Sequence, residues 1–175
     1  MRRLRYSVAT SLDGYIAGPD GEYDWIIMDT SIDFTALFKE FDTVLMGRRT
    51  FELVLRQGSG GAMPGMQVIV FSRTLSASEY PAVTVMDCRA EEAVASLKAK
   101  PGKDIWLFGG GVLFRSLLDA QLVDTIEVAV MPVLLSQGIP LLPKGQRSTE
   151  LRLSECKTLP SGIVMLSYRL KGHAV

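Results

Sequence analysis

Polar and apolar positions alternate from the start of the chain. Leu4, Tyr6 and Val8 stand between Arg3, Arg5 and Ser7, a period of two that predicts a first strand ending near Ala9 or Thr10. Ser11 to Asp24 contains Gly14, Gly18, Pro19 and Gly21 and reads as a loop, long enough to serve as a functional lid. Phe34, Leu37, Phe38 and Phe41 then fall at helical spacing, with Thr30 or Ser31 as the cap and Asp33 in the first turn. Thr43 to Met46 is a short buried strand running into Gly47-Arg48-Arg49-Thr50, after which Phe51, Val54 and Leu55 continue as a helix. Gln57 to Gly65 is glycine-rich and has no period. Gln67 to Phe71 is a strand that ends at Ser72-Arg73-Thr74, and Val83 to Met86 is another. Asp87 is placed to cap a helix with Glu91 and Glu92 early and Lys98 and Lys100 late, the charge order a helix dipole favours, stopped by Pro101-Gly102.

The stretch around which the rest is arranged is Asp104 to Phe114. The apolar run Ile105 to Phe108 enters Gly109-Gly110-Gly111, and Leu113, Phe114, Leu117 and Leu118 leave at helical spacing. A strand, a glycine turn and a helix start form an anion site, because glycine admits close approach and the first helical N–H groups lack internal partners; a tight turn with no ligand is the plainer alternative. Asp124 to Met131 is a strand, Pro132 to Pro143 a loop, and Leu151 to Thr158 with Ile163 to Leu170 a terminal hairpin around Leu159-Pro160-Ser161-Gly162. Strands alternating with helices predict an α/β fold with a mainly parallel central sheet flanked by helices and a C-terminal antiparallel β-hairpin, one domain over residues 1–175.

Three strand ends therefore carry polar or glycine-rich turns: Gly47–Thr50, Ser72–Thr74 and Gly109–Gly111. In open α/β sheets ligands bind outside the carboxyl ends of strands. Hydroxyls, arginines and glycine N–H groups together suit an elongated, multiply phosphorylated ligand, whereas each arginine alone would be an ordinary surface charge. The glycines do not spell GxGxxG, and Gly58-Ser59-Gly60-Gly61 lacks the Lys-Ser/Thr of a P-loop.

Composition narrows the partners. The 175 residues include 19 Lys plus Arg and 19 Asp plus Glu, so the formal charge is zero and nothing suggests a nucleic-acid partner. No apolar run reaches the ~18 residues of a membrane span, and the basic N-terminus does not lead into a signal peptide. Cys88 and Cys156 are read as two buried free thiols of a reducing, cytoplasmic compartment. His173 is the sole histidine, so no metal site and no Ser-His-Asp triad are expected.

An ordered set of motifs resembles the dihydrofolate reductase-like superfamily, closest to the group containing the reductase domain of the riboflavin-biosynthesis deaminase–reductase. The set is Ser11-Leu12-Asp13-Gly14-Tyr15-Ile16-Ala17, Leu45-Met46-Gly47-Arg48-Arg49-Thr50-Phe51, Phe71-Ser72-Arg73, Phe108-Gly109-Gly110-Gly111, and Met131 to Pro143. The resemblance implies NADPH, with Gly47, Arg48, Arg49, Thr50 and Gly109, Gly110, Gly111, Val112 around the pyrophosphate. It implies Ser72 and Arg73 at the adenosine 2′-phosphate, Ala9, Ile16 and Ala17 near the nicotinamide, a cis Gly109–Gly110 peptide and a homodimer. It implies a hydride passed to a small heterocyclic or ribosylamino-pyrimidine substrate, most closely in the manner of the riboflavin-pathway aminouracil reductase. Dihydrofolate or a pterin is the alternative substrate, and a non-catalytic nucleotide-binding module the alternative of another kind. Two departures stand out. The first-helix carboxylate of dihydrofolate reductases is replaced by Phe34, and the Ala-Asp-x-Pro segment of riboflavin-type reductases by Gly47-Arg48-Arg49-Thr50-Phe51. The zinc deaminase signature is absent as well. Asp13, Asp24 and Asp33 remain as candidate acids and Trp25 and Phe34 as candidate substrate contacts; each also has a plain reading as a turn residue, a cap or a core anchor.

Overall fold

The computed structural model describes residues 1–58, 60–145 and 148–170; His173, and Ser59 of the glycine loop, lie outside the described residues. Its main sheet has eight strands. In chain order the elements are β1 (Leu4–Ser11), β2 (Tyr15–Ala17), α1 (Phe34–Phe38), β3 (Phe41–Gly47), α2 (Arg48–Leu55), β4 (Gln67–Phe71) and β5 (Thr84–Met86). They continue with α3 (Ala90–Ala99), β6 (Asp104–Gly109), α4 (Gly111–Asp119), β7 (Thr125–Met131), β8 (Ile139–Pro140), β9 (Leu151–Thr158) and β10 (Val164–Leu170). The sheet order is β5-β4-β3-β6-β1-β7-β10-β9. The first six of these strands run parallel, while β10 and β9 add the expected antiparallel hairpin at one edge. A small second pairing joins β2 to β8.

At β3 and β4 both faces of the sheet are covered, which is why those strands read as nearly unbroken apolar runs, whereas β1 alternates. Leu4, Tyr6, Leu45, Ile69, Ile105 and Leu107 point toward α3 and α4, where Val94, Leu113, Phe114 and Leu117 meet them. Val44, Met46, Val68 and Val70 point the other way, against Phe51 and Val54 of α2. Past β1 on this second face a smaller cluster forms, in which Trp25, Ile26 and Ile32 lie against Ala9, Ala129 and Met131. No helix among the described residues is long and apolar enough to cross a membrane.

Four expectations change. The helix read through Phe41 stops at Phe38, and Phe41 opens β3 instead; its place in the helical period was a coincidence of spacing. Asp33 is the N-cap of α1, its Oδ1 accepting from the Ala36 N–H at 2.9 Å, in place of Thr30 or Ser31. Arg89, not Asp87, is the cap of α3. Both cysteines are exposed, because Cys156 lies on the edge strand β9 and Cys88 in the turn before α3, where nothing covers them. The compartment argument drawn from buried thiols therefore falls away.

Asp29 fastens the segment before α1 to the terminal hairpin. Its carboxylate accepts from the N–H groups of Ser31 at 2.8 Å and Ser161 at 3.3 Å. Contacts with Ser161 and Ser31 hold its carboxyl below the usual carboxylate range. A depressed folded-state pKa contributes stability that is present above the unfolded value of about 3.9 and lost as pH falls through the folded one. Asp29→Asn is thus expected to lower the thermal midpoint near neutral pH, with the gap to wild type narrowing below about pH 4. Paired melts across that range check this; a gap independent of pH would contradict it.

Candidate functional site

Two helices begin side by side at one end of the sheet. α2 starts from Gly47 and α4 from Gly110, and neither residue has a side chain to satisfy the first N–H groups of its helix. Because β3 and β6 are neighbours, the two starts converge: a Cβ on Gly47 would lie 4.0 Å from the Gly110 nitrogen. A Cβ on Gly110 would approach Thr50 Oγ1 to 3.2 Å, and one on Gly109 to 3.5 Å. Backbone N–H groups, the Thr50 hydroxyl and two adjacent helix dipoles thus share one small hollow, suited to a diphosphate. The Gly109–Gly110 peptide is cis, as the resemblance implies. Gly111 is a glycine for another reason. A Cβ there would meet Pro143 Cδ at 2.8 Å and the Pro140 carbonyl at 3.1 Å, so it admits the loop after β8 against α4. Val112 stands 78% exposed beside the hollow.

β4 is the next strand outward, and its end carries the arginine side of the site. Ser72 is buried and builds the turn, its Oγ accepting from the N–H groups of Thr74 at 3.2 Å and Leu75 at 3.1 Å. Arg48 bridges the two strand ends, donating from Nη1 to Thr74 Oγ1 at 3.3 Å and pairing with Glu52 at 3.6 Å. Arg49 and Arg73 are exposed and have no ion pair among the described residues. On the other side of β6 is β1, where Ala9 is half-buried. β2 folds back over that end through the Tyr15 N–H, which donates to Ser11 Oγ at 3.0 Å; Ile16 is half-buried on it and Ala17 buried. Arg73, Gly47–Thr50, Gly109–Gly110 and Ala9 are therefore carried by four adjacent parallel strands, toward their carboxyl ends.

Two of the three candidate acids, Asp13 and Asp33, fasten backbone segments. Asp13 accepts from the N–H groups of Leu135 at 3.1 Å and Ser136 at 2.7 Å, tying the β1–β2 turn to the loop after β7. Ser11 and those two N–H groups hold its carboxyl below the usual range. Asp33 caps α1, and Asp24 is exposed in the preceding loop. Trp25 is half-buried against the Ala9 cluster and donates from Nε1 to the Glu22 carbonyl at 3.1 Å.

Between that cluster and α1 the sheet is only partly covered. No residue of α1 is buried; Phe34 leans on Phe38, and Phe38, 39% exposed, stacks on Trp106 with ring centroids 5.4 Å apart. Trp106 meets Phe108 edge-on at 5.0 Å. Ser7, Ala9, Trp106 and Phe108 stay half-buried although β6 and β1 are central strands, so solvent reaches this face beside the glycine hollow. In the sequence Arg5 and Ser7 stand out only as polar positions of the first strand, and Glu127 carries no signal at all. The structure brings the three together here, with Ser7 Oγ donating to a Glu127 carboxylate gripped by Arg5.

YyaP, an uncharacterized protein of Bacillus subtilis, is 35% identical over 182 residues, covering 98% of this chain and 96% of its own. Among solved structures, a candidate riboflavin biosynthesis protein from Shewanella sp. PV-4 superposes with a TM-score of 0.82 at 28% identity, covering 98% of this chain and 99% of its own. Dihydrofolate reductase from Enterococcus faecalis, complexed with NADP(H), superposes with a TM-score of 0.70 at 20% identity, over 97% of this chain and 96% of its own, so the fold is dihydrofolate reductase-like. The model of the RibD C-terminal domain matches residues 2–165, and on that match the chain belongs to the RibD C-terminal domain family.

Proposed function

We propose that the protein is an NADPH-dependent reductase. Its substrate would be a small heterocyclic or ribosylamino-pyrimidine compound of the riboflavin-pathway aminouracil type. The observation that carries this reading is the pair of uncapped helix starts at Gly47 and Gly110, with the Thr50 hydroxyl between them. On either side, in strand order, lie exposed Arg73 and half-buried Ala9, which matches the layout of a dinucleotide whose ends differ in charge.

In this reading Gly47–Thr50 and Gly109–Gly111 hold the pyrophosphate, with Val112 at its margin. Arg73 meets the adenosine 2′-phosphate, while Ser72 shapes the turn that presents it and Arg48 braces that turn through Thr74. Ala9, Ile16 and Ala17 border the nicotinamide. Bound NADPH supplies the hydride. The chain's own contribution is to fix the direction of approach, to place dipoles against the phosphates, and to exclude water beneath Trp25, Phe34 and Phe38. Stopped-flow oxidation of bound NADPH by a panel of aminouracil, pterin and dihydrofolate compounds tests the reading. Oxidation by an aminouracil compound supports it. Binding without oxidation by any of them would make the protein a nucleotide-binding module, and a preference for dihydrofolate would move the substrate.

The homodimer belongs to the same proposal. β9 is an edge strand whose residues are all exposed, including Leu151 and Leu153, and such an edge calls for a partner or a cover. Light scattering at micromolar concentration is expected to give twice the chain mass; the mass of one chain would contradict it.

A further inference from the structure

We propose that Ser7 is a substrate-binding residue, whose Oγ accepts a hydrogen bond from an N–H or O–H of the substrate, and that Glu127 and Arg5 are the positioning residues that make it an acceptor. The proposal rests on the reductase reading above and adds a polar anchor to a face otherwise bordered by Trp106, Phe108 and the apolar Trp25 cluster.

Leu4 and Tyr6 face the α3–α4 layer with Val8 packed beside them, so Arg5, Ser7 and Ala9 face the opposite side of β1. The parallel register sets Ser7 beside Glu127 and Ala9 beside Ala129 on β7. Ser7 is thus one side-chain step from Ala9 along the same face, about 6–7 Å. Trp106 flanks Ser7 from β6, its Nε1 donating to the Ser7 carbonyl at 3.1 Å, which fixes the indole and the strand together.

Arg5 then decides the chemistry. Its side chain is 9% exposed and forks onto Glu127, Nε to Oε1 at 2.7 Å and Nη2 to Oε2 at 3.0 Å. It also pairs with Glu40, approaches Asp104 at 3.4 Å, and lies 4.6 Å from the centre of the Phe41 ring. Burial alone would weaken the guanidinium charge, but the hydrogen bonds it donates to Glu127 and Glu40 outweigh it and raise the Arg5 pKa. A buried cation in a bidentate grip keeps the carboxylate as an acceptor. Glu127 in turn accepts the Ser7 hydroxyl proton on Oε2. With that proton directed at Glu127, the hydroxyl presents only lone pairs elsewhere. Unlike the buried Thr10 and Thr43, Ser7 holds a half-exposed hydroxyl, oriented from beneath, between the Trp106 stack and the Trp25 cluster. No acid faces the cleft from α1, where Phe34 stands, so the polar contact comes from the floor. The substrate class this favours has a donor next to the reacting centre: an amino-substituted pyrimidine or an open-chain sugar amine, in preference to a donor-free ketone.

The test uses NADP+-saturated protein with diaminouracil and its fully N-methylated analogue as probes, titrated by calorimetry into wild type, Ser7→Ala, Ser7→Thr and Glu127→Gln. Diaminouracil is expected to bind Ser7→Ala about 5- to 10-fold more weakly than wild type, the worth of one neutral hydrogen bond. Ser7→Thr restores the affinity, and Glu127→Gln loses a comparable factor although Ser7 is intact. The methylated analogue, lacking donors, binds wild type and Ser7→Ala alike, and NADP+ affinity is equal in all four proteins. Diaminouracil binding that is absent in NADP+-saturated wild type, or unchanged in Ser7→Ala, overturns the proposal. Failure of wild type to bind NADP+ at all would instead overturn the cofactor reading.

Discussion

Gly110→Val is expected to leave a folded protein that has lost NADPH affinity by a factor of about 100 or more. The backbone at Gly110 has φ −92°, which a side-chain-bearing residue adopts readily. The harm lies in where the side chain goes. A Cβ at this position would point at Thr50 Oγ1, 3.2 Å away, between the two helix starts. Valine adds two methyl groups there and closes the approach to the N–H groups of α2 and α4. Charge-assisted hydrogen bonds contribute about 1.5–3 kcal/mol each, so losing even two costs roughly 3–6 kcal/mol, or at least 100-fold. Gly47→Val tests the same hollow from its other wall, since Gly47 has an ordinary φ of −81° and a Cβ there would lie 4.0 Å from the Gly110 nitrogen. Melting curves establish that each variant is folded, and calorimetry reads the affinity. A folded variant that binds NADPH like wild type would remove the pyrophosphate from this hollow.

Arg73→Ala is expected to weaken NADPH by about ten- to a hundredfold and to leave NADH nearly unchanged. The two cofactors differ only by the phosphate at the adenosine 2′ position. Arg73 is exposed, without an ion pair among the described residues, at the end of the strand next to the glycine hollow. Arg48 is committed to Thr74 and Glu52, and its loss is expected to disturb the turn and affect both cofactors. Thr50→Val is likewise expected to weaken both, through the shared pyrophosphate. Equal loss of NADH and NADPH in Arg73→Ala would place the adenosine end elsewhere.

The parallel sheet and its glycine-bearing strand ends were legible in the sequence because their signals are local. β4 runs from Gln67 to Phe71, the apolar run itself, and the three strand-end turns fall on adjacent strands. What was not legible depends on pairing at a distance. β2 and β8 are three and two residues long, hold together through a contact between loops, and leave no periodic trace. Phe41 matched a helical period by chance and belongs to β3. Exposure of Cys156 follows from β9 being an edge strand, which only the strand order reveals. The roles of Asp13 and Asp33 follow from which N–H groups come within reach, and the link from Ser7 to Glu127 and Arg5 exists only because β1 and β7 pair in one register. Alternation sets Arg5 and Ser7 on the face opposite Leu4 and Tyr6; it does not show what that face meets.

The most direct measurement is calorimetric titration of NADPH, and separately NADH, into the wild-type protein. Saturable binding of one NADPH per chain is expected, with a Kd of about 1 µM or tighter, near −8 kcal/mol, and NADH weaker by about ten- to a hundredfold. Absence of saturable NADPH binding up to about 1 mM, or NADH binding as tight as NADPH, would contradict it.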